Sequence, residues 1–180
     1  MKNLSGSSFR IMVIFLSITA SVFFSSCGDD DDDPVNPGDG NNNQQSQITF
    51  TGGALNNQTV NLTGAAGGFS VSENISAAVL SGVVGQDTMI VTIVFPGSTT
   101  GTFEWQDASS DESASGMIIS FTDDPNRWLL SDGSAGSTVI TAYGQVGQAI
   151  TGTFGGFVRG AADSSTVQGS FTVTRVPNGE

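Results

Sequence analysis

Residues 166–176 alternate between apolar and polar side chains. Val167, Phe171 and Val173 share one parity; Gln168, Ser170, Thr172 and Thr174 share the other. A period of two suits an extended strand with one wetted face, because on a helix the same residues would scatter around the axis. Residues 149–158 repeat the pattern with Ile150, Phe154 and Val158, and the intervening 159–165, with Gly160 and Asp163, suits a hairpin link. Residues 88–95 (TMIVTIVF) are more uniformly apolar and predict a central strand, stopped by Pro96 and Gly97. Further strands are expected at 48–51, 59–62, 76–84, 101–105, 116–121 and 137–145. Turn residues at 85–87, 123–126 and 132–134 punctuate them. No stretch keeps helical spacing for long, and 75–80 fits a strand better than a short helix. About nine short strands predict an all-β domain over residues 47–180: a single antiparallel β-sandwich, with a closed β-barrel as the alternative.

A tripeptide recurs as Gly101-Thr102-Phe103, Gly152-Thr153-Phe154 and Gly169-Ser170-Phe171. Its spacing is irregular, so it marks no repeat array. Its glycine is expected to bend the backbone or to make room for a neighbouring ring.

The first 27 residues have another purpose. Lys2 and Arg10 form a positive start, 11–24 (IMVIFLSITASVFF) is an apolar run too short to span a membrane comfortably, and Ser25 and Ser26 precede Cys27. This resembles the lipobox of bacterial lipoproteins, with Phe24 standing where leucine is more usual. The resemblance implies that residues 1–26 are a signal peptide, removed as Cys27 receives its lipid. Three acyl chains would anchor the protein firmly, since each buried methylene contributes about 0.8 kcal/mol. Residues 27–46 then form a polar tether, rich in Asp, Asn, Pro and Gly, with nothing to bury. The run of aspartates from Asp29 to Asp33 resembles the acidic export signal of surface lipoproteins of the Bacteroidota. The ending ITGTFGGF…VQGSFTVTRV resembles small lipoproteins of that group whose β domains have no assigned function. Together these imply an outer-membrane lipoprotein displayed at the cell surface.

Composition removes several kinds of function. The chain has 17 acidic residues, 5 basic ones and no histidine, for a net charge of −12. Beyond Cys27 only Arg127, Arg159 and Arg175 are cationic. Such a chain lacks the basic patch that displaces counterions from nucleic acid, so no nucleic-acid partner is expected. Anionic lipid would repel it, leaving the acylated Cys27 as its hold on the membrane. Without histidine, and without lysine or a second cysteine, Ser-His-Asp, Cys-His and Schiff-base chemistry are unavailable after Cys27, and no cofactor is expected.

What remains is modest. Trp128, Trp105 and Tyr143 are candidates for stacking on a sugar ring, and Arg127 is the candidate partner for a carboxylate or acidic sugar. Asp123, Asp124, Asn126 and Asp132 carry oxygens that suit calcium. Their spacing is not that of an EF-hand, and Asp and Asn are ordinary turn formers, so no metal is expected. Glu104, Asp107, Asp111 and Glu112 are candidate carboxylates for glycoside hydrolysis, although a solvated acidic loop explains them as well. Asp87-Thr88-Met89 resembles an O-glycosylation acceptor of exported Bacteroidota proteins. The sequence thus predicts a non-catalytic, lipid-anchored envelope protein that binds a glycan or a partner protein. The alternatives are a carboxylate-dependent glycan hydrolase and a barrel carrier of an apolar ligand.

Overall fold

The computed structural model describes residues 45–106 and 115–179, apart from the Ser134 side chain. The expected signal segment, Cys27, nearly all of the expected tether, and Asp107, Asp111 and Glu112 lie outside the described residues.

Ten strands follow in order: β1 (Gln47–Thr51), β2 (Thr59–Asn61), β3 (Thr63–Ser70), β4 (Ile75–Val84), β5 (Asp87–Pro96), β6 (Gly101–Glu104), β7 (Gly116–Phe121), β8 (Trp128–Tyr143), β9 (Ala149–Arg159) and β10 (Ser164–Thr174). They form one antiparallel sheet in the order β2-β1-β10-β9-β8-β7-β5-β4-β3, with β6 paired to β8 off that path. Every strand expected from alternation is present. The fold is all-β and sandwich-like, folded over a single core.

The closed-barrel alternative is not what forms. β2 and β3 stand at opposite ends of the strand order and share no ladder, although only Leu62 separates them in the chain. One nearly continuous segment therefore pairs with β1 by its first part and with β4 by its second. The residues after β10 reach β3 through two isolated parallel bridges, Gly67 with Arg175 and Ser70 with Gly179.

The core collects the inward parity of the strands. Phe50, Phe95, Phe171, Ile48, Leu80, Met89, Ile93, Met117, Ile119, Ile140, Ile150 and Val91 are its largest fully buried side chains. The alternation in 166–176 is realised, with Val167, Phe171 and Val173 all buried. Each such side chain contributes about 1.5–3 kcal/mol on burial.

The recurring tripeptide has a structural meaning in two of its copies. Gly152 pairs with Phe171 and Gly169 with Phe154 across β9 and β10. The ring of each phenylalanine lies over the glycine of the other copy, where a Cβ would collide with it. The two rings stack with centroids 6.4 Å apart. Gly101 has no such partner; only its own neighbour Phe103 comes near.

Two sequence expectations need correction. Strand β3 (TGAAGGFS) lies where the sequence predicts none, because Phe69 is its one large apolar residue. Small residues are needed there: Gly67 faces Val173 and Ile150 where the two ends of the sheet approach. The expected turn at Asp132-Gly133-Ser134 is instead part of β8. The strand continues through it with a register shift against β9 between Ser131 and Gly136. Extra residues absorbed as a bulge bend the strand without ending it.

Candidate binding face

The outward parity of β4, β5, β7 and β8 makes a second surface. The register sets Val79, Thr92, Ile118 and Leu130 in one row across these strands. The next row holds Ser81, Ile90, Ser120 and Trp128. Val79, Ile90, Ile118 and Leu130 are half-buried, and Trp128 is 40% exposed, the largest exposed apolar side chain among the described residues.

The β7–β8 turn delivers Trp128 to this place. Asp124 shapes the turn by accepting from the Asn126 amide at its side chain (3.0 Å) and from the Arg127 amide at its carbonyl (2.9 Å). Arg127 then lies over the Phe121 ring, 3.9 Å from its centroid, and caps the end of the core. The following residue, Trp128, opens β8 pointing outward.

Arg127 is engaged by Asp87 rather than by Asp123 or Asp124, with 3.3 Å between Nη1 and Oδ2. Asp123 is itself in hydrogen-bond contact with Asp87, which raises the Asp87 carboxyl above the ordinary 3.8. Loss of solvent and the negative charges of Asp123 and Asp124 push the same way, while Arg127 opposes them. On the far flank of the face Arg159 pairs across the ladder with Leu130, and its Nε lies 3.3 Å from Oδ2 of Asp132.

The four sequence candidates for binding do not converge. Arg127 and Trp128 are adjacent at the start of β8. Trp105 lies beside its middle, where the Trp105 amide donates to the Gly136 carbonyl. It is 2% exposed, its Nε1 donates to Thr138 Oγ1 (3.0 Å), and its ring fills the space left by Gly136 and Gly156. As a sugar platform Trp105 is therefore corrected to a core residue, with neither face open. Tyr143 closes β8 at the other end. Its hydroxyl meets Ser76 Oγ at 2.8 Å, its ring stands edge-on to Phe95, and Arg175 lies 4.9 Å above it.

The calcium candidates divide in the same way. Asp123, Asp124 and Asn126 share the β7–β8 turn, whereas Asp132 belongs to the Arg159 ion pair. Among the described residues no group of three or more Cys, His, Asp or Glu is arranged to hold a metal ion. Glu104 is exposed at the end of β6. Thr88 is half-buried, with its carbonyl accepting from the Thr122 amide at 3.0 Å.

The residues that sequence reasoning missed are Asp87 as the partner of Arg127, Arg159, and the aliphatic outer row. A trace of that row was visible: TMIVTIVF, MII and WLL are apolar on both parities in three strands. That such strands are neighbours follows only from the pairing. No protein-family model matches the chain, and neither a curated protein nor a solved structure is similar to it. No helix among the described residues is long and apolar enough to cross a membrane.

Proposed function

We propose that this is a non-catalytic protein of the cell envelope, held to the outer membrane by acylated Cys27 and displayed at the surface. It binds a glycan or a partner protein through the outer face of β4, β5, β7 and β8. The lipobox-like segment before Cys27 supports the anchoring, and the acidic run behind it supports display. The observation that carries the binding role is Trp128, exposed beside half-buried Ile90, Ile118 and Leu130 on one sheet face. Aromatic side chains with one apolar face open to solvent are enriched where proteins meet ligands.

The test joins two measurements. Mass spectrometry of the protein from its native membrane should show cleavage before Cys27 and acylation of it, both lost in Cys27→Ala. Binding to isolated envelope material should be lost in Trp128→Ala while the melting temperature stays within a few degrees of the parent. Undiminished binding by Trp128→Ala would place the ligand elsewhere.

A further inference from the structure

We infer that the ligand of this face is a neutral glycan strand, lying along the row Ser81, Ile90, Ser120 and Trp128. The inference rests on the binding role proposed above and names its substrate class.

The row alternates hydroxyl and apolar groups across four paired strands. Neighbouring strands lie about 4.8 Å apart, so the row extends about 14 Å, the scale of a short oligosaccharide. A pyranose chain alternates in the same fashion, offering C–H faces to apolar side chains and equatorial hydroxyls to donors and acceptors. Trp128 closes the row as the stacking platform, with its indole open on the outside. The second row lies beside it, with the aliphatic Val79, Ile118 and Leu130 around buried Thr92.

Charge narrows the class. Of the two guanidiniums nearest the face, Arg127 turns to the core side, over the Phe121 ring and against Asp87, and Arg159, paired across the ladder with Leu130, is matched by Asp132. Exposed Asp123 and Asp124 add negative charge beside Trp128. A polyanion, whether sulfated or uronic, would meet repulsion with no counter-charge to offset it. A neutral polymer meets none, and the Arg159–Asp132 pair gives its hydroxyls both a donor and an acceptor. A protein partner fits less well. Interface cores are contiguous apolar patches that lose much water on binding. Here the aliphatic residues are already half-buried, and Ser81 and Ser120 interrupt the row that ends at exposed Trp128.

The experiment uses the acylated full-length protein in a detergent without a sugar headgroup. Tryptophan fluorescence and calorimetric titration are run against soluble glucan, mannan, xylan and galactan, with polygalacturonate and dextran sulfate as anionic counterparts. At least one neutral glycan should bind saturably and shift the emission. Trp128→Ala and Ser120→Asp should each weaken that binding at least tenfold. Ser120 is half-buried on the outer face, and the melting temperature of each variant is measured beside its binding, a value within a few degrees of the parent being the check on folding. Binding of anionic polymers alone, or of no glycan in the panel, overturns the inference, as does neutral-glycan binding that survives both variants. If no glycan binds while an envelope protein does so through Trp128, the glycan class fails and the binding face stands. If nothing binds through Trp128, both fail.

Discussion

At the scale of single residues, small side chains decide as much as large ones. Phe154 and Phe171 each occupy the space above a glycine of the neighbouring strand. Gly169→Ala would drive its Cβ into the Gln47 carbonyl of β1 as well as the Phe154 ring, so backbone and ring must both shift. It should cost about 3 kcal/mol or more, the upper end of the overpacking range, read as a lower denaturant midpoint at unchanged slope. Asp87 is the other decisive residue, with its carboxyl raised chiefly by the hydrogen bond to Asp123. A raised acid binds its proton more tightly folded than unfolded. Stability therefore grows as pH falls through the window just above 3.8, and is lower once Asp87 is ionised. Asp123→Asn removes one of the two charges, and its amide can donate to the Asp87 carboxylate, where the Asp123 carboxylate can only accept. It should raise the melting temperature at neutral pH and flatten the pH dependence in that window. An unchanged or steeper slope in thermal melts across pH would contradict this account of the turn.

Between elements, the distant ends of the chain are tied by a few specific bonds. The 52–58 link between β1 and β2 lies over the 160–163 turn between β9 and β10. Both Asp163 carboxylate oxygens accept from the Ala54 amide, at 3.1 and 3.2 Å, and Ser165 Oγ donates to the Gly52 carbonyl at 2.9 Å. Oδ1 of Asp163 also accepts from the Ser164 amide at 2.8 Å. Asp163→Ala should cost about 1–2 kcal/mol, the range of charge-assisted hydrogen bonds at partly exposed sites. Hydrogen exchange should show faster opening in 52–58 and 160–165, with β4 and β5 unaffected. Uniform loss across the sheet would mean that Asp163 supports the whole fold rather than this junction.

For the molecule as a whole, the arrangement depends on long-range pairing. β1 bonds to β10, and the residues after β10 close against β3. Val176 donates to the Gly67 carbonyl at 2.8 Å, Gly179 to Phe69 at 2.9 Å, and Val71 to Gly179 at 3.1 Å. Arg175 adds bonds to the Gly144 carbonyl and to Asn178 Oδ1, at 2.8 and 2.9 Å. Ending the chain after Thr174 also removes the backbone bonds of Arg175 with Gly147 and Gln148, and at about 0.5–1 kcal/mol for each net hydrogen bond lost should cost about 3–6 kcal/mol. β3 would become an open edge able to pair with another molecule. Light scattering on warming should therefore rise earlier than in the full chain, and a truncated chain that melts and scatters like the parent would show the tail to be dispensable.

Local alternation is enough to set the class of fold, and composition is enough to remove histidine- and lysine-based chemistry after Cys27. Alternation such as that of Val167, Phe171 and Val173 is local, because side chains of one strand share a face whatever their neighbours are. The absence of histidine is likewise a property of composition alone. Which strands are neighbours is settled by the long-range pairing of the sheet. That pairing opened Ile90, Ile118 and Trp128 onto one surface, sent Trp105 inward against Gly136 and Gly156, and gave Arg127 to Asp87 across 40 residues of chain. It also required a strand of glycine and alanine at β3, whose small residues look like a loop until the opposite end of the sheet packs against them. The physical reason is common to all of these. Period and composition act along the chain, whereas burial, ion pairing and close approach depend on which distant segments the register brings side by side.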